Sequence, residues 1–246
     1  MGDFTMALRH HQKALELARL HGDRLPGLWQ VKGRALGNIG NAYSSLGEYC
    51  KALDFYQQHL SIARERGSRH GEGQALGSIG NAYRLLGQYP QAVDYLERRL
   101  EIARELEDVV GESIALGNLG ATHLMMGDFA TAIAHLTRQL DLAQAIGYRD
   151  GEGRALGNLG LVYQAMGRYE EALPCLERLL QIAQETGALE AEARARAGLG
   201  TVLFKLDRPR EAVVHHRVQL ELARAIGDRE VERAAILLRN ATRSPL

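Results

Sequence analysis

Two glycine-rich stretches are candidates for phosphate chemistry, because the backbone N–H groups of a glycine loop can bind phosphate oxygens. They are GEGQALG at 71–77 and GEGRALG at 151–157. A dinucleotide-binding loop has the spacing G-x-G-x-x-G and follows a β-strand. Here the spacing is G-x-G-x-x-x-G, and no alternating strand pattern precedes it. We therefore interpret both stretches as the first turn of a helix and expect no phosphate site.

Paired histidines are candidates for metal binding, and they stand at positions 10–11 and 215–216. Adjacent helical residues point about 100° apart, so neither pair can chelate one ion from a single helix face. No cysteine or glutamate at a fixed spacing completes a ligand set. The sequence predicts no metal site and solvated side chains at His10, His11, His215 and His216.

The two cysteines, Cys50 and Cys175, lie near predicted helix starts, where a thiol can become acidic. No histidine accompanies either one in an arrangement typical of a nucleophile. Their separation also argues against a secreted disulfide framework. We interpret them as reduced core thiols, and the sequence predicts neither an enzyme nor a cofactor.

The charge balance excludes some classes of partner. Lys and Arg number 30, Asp and Glu also number 30, and the formal net charge is zero. Binding to nucleic acid or to a membrane surface needs an excess of cations, so neither is expected. No apolar run of about 18 residues predicts a membrane span, and the N-terminus lacks the pattern of a signal peptide. We expect a cytoplasmic protein.

One short sequence motif recurs at a fixed interval of 40 residues. ALGNIGNAY at 35–43 recurs as ALGSIGNAY at 75, ALGNLGATH at 115, ALGNLGLVY at 155 and, more divergent, ARAGLGTVL at 195. Between the copies, apolar residues recur every three or four positions, which is typical of helices with one buried stripe. Glycines at 47, 87, 127 and 167 interrupt this pattern and suit the left-handed end of a helix. Each unit is predicted to be helix, turn, helix, turn.

A single helix pair cannot bury apolar stripes on both sides, so the copies must stack. The expected fold is all-α: a right-handed α-α superhelix, or solenoid, of about twelve antiparallel helices in one domain, 1–246. Its parts are a half repeat at 2–22, full repeats at about 33–67, 72–107, 112–147, 152–187 and 192–227, and a capping helix at 229–240. Because the chain starts and stops inside repeats, a fragment or end-to-end association is expected.

Two columns of glycine run through the repeats. A mid-helix glycine costs roughly 1 kcal/mol relative to alanine, so its recurrence indicates a compensating contact. We interpret the column that includes Gly40 and Gly80 as close approach of the paired helices. The column that includes Gly37 and Gly77 lies on another face, and a ligand backbone could come close there. About five extra residues, LPGLW at 25–29, predict a lengthened turn with Trp29 packed on its neighbours.

The spacing within each copy resembles the tetratricopeptide repeat, as shown by Leu36, Ile39, Gly40, Tyr43, Ala52 and Tyr56. The step of 40 residues is longer than the usual 34 or so. It most resembles the Partner-of-Inscuteable class of G-protein signalling modulators, and more distantly kinesin light chains and bacterial tetratricopeptide signalling arrays. The short G-protein-binding motifs of the full-length modulators are not present in the sequence, so control of nucleotide exchange is not expected.

The resemblance implies a concave groove lined by the first helix of each pair. Its groove positions correspond here to Arg34, Asn38, Asn41, Gln74, Asn81, Arg84, Asn118, Arg154, Asn158 and Arg194. Asparagine offers a donor and an acceptor to a peptide backbone, and arginine favours carboxylates. The alternative is that these asparagines are exposed residues copied with each repeat. Glycine at 37, where chaperone-binding members have lysine, argues against a chaperone role.

The predicted function is therefore a scaffold or adaptor that binds an extended or partly helical segment of another protein, acidic in part. Groove polarity falls through Ala121, Leu124, Met125 and Leu161, which predicts a ligand polar at one end and apolar at the other. The alternative is a sensor or spacer arm of a larger signalling protein that self-associates through its open ends.

Overall fold

The computed structural model describes residues 11–13, 16, 27–227, 232–233 and 235–236. These residues contain helices but no β-strand, as predicted. The predicted half repeat at 2–22 and capping helix at 229–240 fall almost wholly outside them. Between residues 27 and 227 the described chain forms ten helices: α1 (Leu28–Ser45), α2 (Tyr49–Glu65), α3 (Arg69–Leu85), α4 (Tyr89–Glu105), α5 (Val109–Met126), α6 (Phe129–Ala145), α7 (Arg149–Ala165), α8 (Tyr169–Thr186), α9 (Leu189–Lys205) and α10 (Pro209–Ile226).

The turns between helices repeat one hydrogen-bonded motif. After α1, the N–H of Gly47 donates to Ser44 O at 3.0 Å and the N–H of Glu48 donates to Tyr43 O at 2.9 Å. Gly47 has φ 77°, which is the left-handed conformation that this Schellman-type ending requires. Asp207 and Glu107 adopt the same conformation with φ 58° and 53°. Asp207 stands where the other first helices are followed by glycine, and the sequence reasoning missed the left-handed conformation of Glu107.

The chain divides into two compact units, Met1–Met126 and Gly127–Leu246. In the first unit consecutive helices from α1 to α5 pack against one another, and in the second unit consecutive helices from α6 to α10 do the same. The odd-numbered helices, here called first helices, also contact one another: α1 with α3, α3 with α5, and α7 with α9. Within each unit the first helices therefore lie side by side.

The core of each unit comes from the apolar stripes that the sequence pattern predicted. Stacked ring pairs flank it in the first unit: Tyr43 on Phe55 and Tyr83 on Tyr95, each with centroids 5.4 Å apart. The buried cluster that spans two pairs there comprises Ala52, Leu53, Tyr56, Leu60, Ala75, Leu76, Ile79, Ala82 and Ile102. A matching cluster in the second unit comprises Ala172, Leu176, Leu199, Val202, Leu203 and Ala212.

The first glycine column has the role that the sequence predicted. A Cβ placed on Gly40 would lie 2.4 Å from Cε1 of Tyr56, and one on Gly80 would lie 2.7 Å from Cγ of Leu96. Carbon atoms do not approach this closely, so only glycine lets the two helices of a pair pack at this distance. The same contact recurs in the second unit between Gly160 and Leu176.

A row of hydrogen bonds to glutamate side chains, which the sequence reasoning missed, joins consecutive helix pairs. A side chain on each second helix donates to a glutamate eight residues later, and the first four of these glutamates lie in the first turn of the next first helix. The distances are 2.9 Å for Arg64–Glu72, 3.0 Å for Arg104–Glu112, 3.5 Å for Gln144–Glu152, 3.3 Å for Gln184–Glu192 and 2.8 Å for Arg224–Glu232. We call these contacts the seam ladder.

The carboxylate of Glu152 is the most enclosed member of the ladder, with 3% of the residue exposed. It also accepts hydrogen bonds from Arg149 at 2.8 Å and from Arg178 at 3.3 and 3.2 Å. Burial raises the pKa of this carboxyl, but the hydrogen bonds from Arg149, Arg178 and Gln144 lower it more, so the net pKa lies below its ordinary value. The buried charge is thus fully paired, which is the condition under which it can be tolerated.

Candidate functional site

Ten polar positions predicted as a binding site all lie on the solvent side of first helices. Residues 34, 38 and 41 follow steps of four and three, which places them on one stripe of α1. Leu36 and Ile39, between them, are fully buried, so this stripe faces away from the core. We call it, with its equivalents, the first-helix face: Arg34, Asn38 and Asn41 in α1, Gln74, Asn81 and Arg84 in α3, Asn118 in α5, Arg154 and Asn158 in α7, and Arg194 in α9. Each is exposed or half-buried.

Two of the asparagines have one side of the amide engaged within the protein. Tyr56 OH donates to Asn41 Oδ1 at 2.8 Å, and Arg84 Nη2 donates to Asn81 Oδ1 at 2.7 Å. Neither amide nitrogen has a hydrogen-bond partner among the described residues. Both side chains therefore present N–H donors, which suit the carbonyl or carboxylate oxygens of a ligand.

The arginines of the face differ in their partners. Arg154 pairs with Asp150 at 3.2 Å, one helical turn earlier. Arg34 and Arg194 form no ion pair with any described residue. Burial lowers the pKa of the half-buried Arg84, and its Nε is enclosed without a hydrogen-bond partner in the described part of the chain. Three guanidinium groups are thus incompletely satisfied on this face.

The second glycine column makes room for side chains of the second helices. A Cβ on Gly77 would lie 2.5 Å from Cδ of Arg99, and one on Gly37 would lie 3.4 Å from Nδ1 of His59. The interpretation that these glycines leave space for a ligand backbone was therefore wrong at Gly77, because Arg99 fills that space, whereas at Gly37 the ring of His59 lies at ordinary contact distance. Burial lowers the pKa of both His59 and Arg99, with the Asp108 carboxylate partly offsetting the effect at Arg99.

A cavity of about 410 Å³ lies among α1, α2 and α3. It brings together two predicted site residues, Arg34 and Gln74, although they are 40 positions apart. Trp29 lines it from the first turn of α1, so this residue belongs to a helix and not to the lengthened turn that the sequence predicted. The full lining is Trp29, Gln30, Gly33, Arg34, His59, Ile62, Ala63, Ser68, His70, Gly71 and Gln74. Sequence reasoning missed His59 and His70, which only the packing of three helices brings to Arg34.

The sequence candidates for chemistry lie within helices or in the core. Both glycine-rich stretches, 71–77 and 151–157, lie inside α3 and α7, and each begins in the first turn of its helix. The prediction of a solvated His216 was wrong, since it is fully buried beneath Gly200. It occupies the core position of Leu96 and Leu176, which the doublet with His215 obscured.

The cysteines also differ from prediction. Cys50 is exposed and is therefore not a core thiol, whereas Cys175 is half-buried and burial raises its pKa. Among the described residues, no cluster of three histidine, cysteine, aspartate or glutamate side chains could hold a metal ion. None of the described helices combines the length and the hydropathy needed to cross a membrane.

Paired helices repeated at 40-residue intervals, with first helices side by side, define a helical repeat protein. The chain belongs to the tetratricopeptide repeat family, whose pattern matches residues 31–105, 111–185 and 151–225. The family resemblance drawn from Leu36, Gly40 and Tyr43 is thereby confirmed. Proteins of this fold are typically interaction scaffolds.

Relatives of known sequence match only in part. Outer dynein arm-docking complex subunit 4 of Danio rerio is 36% identical over 63 residues, covering 26% of this chain and 12% of that protein. The match with the Mus musculus protein of the same name is 34% over 64 residues and spans 10% of its length. The chain thus matches about a tenth of these relatives.

Similar solved structures confirm the fold. BtubC from P. vanneervenii has a TM-score of 0.78 at 18% identity, covering 92% of both chains. The Rap conjugation gene regulator of plasmid pLS20, solved with the Phr* peptide, has 0.76 at 19%, covering 89% of this chain and 60% of that one. A putative kinesin light chain from Podosopora anserina has 0.65 at 16%, covering 82% and 99%.

Proposed function

We propose that the protein is a non-enzymatic scaffold that binds an extended or partly helical segment of a partner protein on the first-helix face. The observation that carries this proposal is the excess of unused donors there. Arg34, Arg84 and the amide nitrogens of Asn41 and Asn81 all lack full partners in the described part of the chain. Many such weak contacts on a preformed surface can hold a peptide whose main cost is its own ordering.

The ligand that fits is acidic in part. No site position of the first-helix face carries a carboxylate, and Arg99 adds a further cation between Gly73 and Gly77. Apolar side chains are also exposed on first helices within each unit: Met125 at 53% in the first, and Leu161 at 52% and Phe204 at 42% in the second. We therefore propose a segment that combines acidic with apolar residues. In fold this chain resembles the pLS20 Rap regulator, which was solved with a bound peptide.

Selection from a random 15-residue peptide library on immobilised protein tests the proposal. We expect enrichment of acidic sequences. Replacing Asn38, Asn81 and Asn118 with alanine should weaken the selected peptides at least about tenfold, or 1.4 kcal/mol. Asn38 is preferred to Asn41 here, because Asn41 also holds Tyr56.

A matched control places the same chemistry elsewhere. Gln57 and Gln91 are exposed amides on second helices, and their double alanine variant should bind like the wild type. If both variants lose affinity equally, or if the library yields no binder, the scaffold proposal is wrong.

Finer assignments belong to the same proposal. We propose a cytoplasmic location and kinship with the Partner-of-Inscuteable class. A sensor or spacer arm that self-associates through the ends of the array remains the alternative prediction. Sedimentation velocity at several protein concentrations separates the two, since a scaffold stays monomeric and an arm of this kind assembles without added ligand.

A further inference from the structure

The cavity among α1, α2 and α3 has a lining rich in hydrogen-bond donors. Its polar side chains are one guanidinium, two imidazoles, two amides and one hydroxyl, and none of its residues is acidic. The acidic residues next to it in sequence have other partners: Glu65 accepts from Ser61 at 2.7 Å, and Glu72 is bound by Arg64 and Arg69. Arg34 is therefore the only arginine or lysine of the lining, and no acidic side chain of the lining balances its charge.

The decisive residue is Arg34. At the equivalent position of the second unit, Arg154 is neutralised by Asp150, four residues earlier. Four residues before Arg34 stands Gln30, which carries no charge. Arg34 forms no ion pair with any described residue, so its planar guanidinium is available for a carboxylate.

The remaining lining residues are held in position. His59 lies against Gly33 and Gly37, where a Cβ would come within 3.1 and 3.4 Å of its ring. Gln74 Nε2 lies 2.9 Å from His70 Nε2. Since an amide nitrogen can only donate, His70 Nε2 accepts this bond, and Gln74 keeps its second N–H. Trp29 and Ile62 add apolar surface beside these polar groups.

We propose that this cavity is the anchor point for a carboxylate that lies next to an apolar side chain, both contributed by the bound segment. The proposal rests on the scaffold function above and names its ligand chemistry. The carboxylate pairs with Arg34, with His59 and Gln74 beside it, while the apolar part lies against Trp29. A volume of about 410 Å³ lies within the range of about 300–1,000 Å³ that is usual for small-ligand sites.

The test uses the fluorescence of Trp29, which is the only tryptophan of the chain and therefore reports on this cavity alone. Three probes are titrated: acetyl-Ala-Leu with a free carboxyl terminus, the same dipeptide as its carboxamide, and acetyl-Leu-Glu carboxamide. We expect a saturable change with one or both carboxylate probes and none with the acetyl-Ala-Leu carboxamide. The arm that responds tells whether a chain terminus or an acidic side chain supplies the group.

A matched pair of arginine variants completes the test. Arg34→Gln should weaken the responding probe at least about tenfold, while Arg98→Gln, which changes an exposed arginine of α4 outside the first-helix face, should leave it unchanged. Because both arginines are exposed, circular dichroism should show the same helix content in both variants. Equal binding of the carboxamide, equal loss in both variants, or no response to any probe would overturn the anchor. Library peptides that bind while these probes do not would leave the scaffold intact and remove only this cavity.

Discussion

Gly80 shows why the repeated sequence motif contains a glycine inside a helix. A Cβ there would meet Leu96 at 2.7 Å and the carbonyl oxygen of Ala92 at 3.2 Å. Gly37 lies in the same unit, but its nearest contact would be 3.4 Å, to His59. Gly80 is therefore required for steric reasons, whereas Gly37 only lowers the helix propensity.

We expect Gly80→Ala to destabilise the protein by about 1–3 kcal/mol, because the added methyl group forces the helix pair apart. Gly37→Ala has room for the same group and should stabilise by up to about 1 kcal/mol through helix propensity. Urea unfolding followed by circular dichroism measures both. A stabilised Gly80→Ala would contradict the close-approach interpretation.

His216 has an imidazole where other repeats have a leucine. Its Nδ1 donates to Gln219 Oε1 at 3.2 Å, and its Nε2 is buried without a hydrogen-bond partner among the described residues. Burial lowers the pKa of His216, and the bond to Gln219 offsets this only in part. The side chain is therefore held in its neutral form.

The folded-state pKa of His216 is lowered, so its contribution to the stability of the folded state is fully present above the unfolded pKa of about 6.5. That contribution is lost as the pH falls towards the folded pKa. His216→Leu removes this dependence. The stability of His216→Leu relative to the wild type should therefore increase as the pH falls from 7.5 to 5. Thermal unfolding across this range measures it, and parallel pH profiles for the two proteins would count against the assignment.

Residue types alone predicted the first glycine column but not the second, and the difference is physical. Gly40 follows a buried Ile39 within one helix, so its face can be read from helical spacing. What fills the space beside Gly77 is Arg99, a residue 22 positions away whose path depends on how α3 and α4 pack. His216 was mistaken for a similar reason, since an adjacent histidine suggested exposure while the 40-residue alignment with Leu176 indicated the core.

At the scale of helices, the apolar period predicted the pairs and their turns well, but it did not predict the seam ladder. Its members are eight positions apart and lie on either side of a turn, whereas the contacts expected from helix geometry are three or four apart. The signal was present in the 40-residue repetition of glutamate at 72, 112, 152, 192 and 232. Only the turn geometry shows what faces each carboxylate.

Glu152→Gln keeps the shape of the most enclosed glutamate of the seam ladder and removes its charge. We expect a loss of about 1.5–3 kcal/mol at neutral pH, because hydrogen bonds to a charged group are replaced and Arg178 loses its ionic partner. Since the folded-state pKa of Glu152 is lowered, its contribution is present above the unfolded pKa of about 4.3 and is lost as the pH falls through the folded value. The difference in urea midpoint should therefore shrink in acid. A difference that does not change with pH would mean that the charge is unimportant.

Pro174 lies inside α8, where it cannot donate to the carbonyl four residues earlier. We expect Pro174→Ala to raise stability by up to about 3 kcal/mol, since a helical hydrogen bond is restored. Ala134 occupies the same position in α6, so Ala134→Pro is the reverse control and should destabilise. Both changes are measured as shifts in the urea midpoint. An unchanged Pro174→Ala variant would show that the helix accommodates the ring without cost.

For the molecule as a whole, the balance of 30 cations and 30 anions brings the isoelectric point to about 7.1. Proteins repel one another least near zero net charge. The second virial coefficient from light scattering should therefore be lowest near pH 7 and rise at pH 9. A flat profile would indicate that patches, and not net charge, control association. The measurement also sets the background against which any specific self-association is judged.

The seam ladder bears on how such a chain can change its length. In the described part of the chain, each joint between consecutive helix pairs brings its own carboxylate and its own donor, and none depends on a residue two copies away. A duplication or deletion of 40 residues therefore creates a new joint whose glutamate already has a hydrogen-bond donor. Growth by whole copies leaves no glutamate without a donor, and natural variation in size should proceed in steps of one 40-residue repeat.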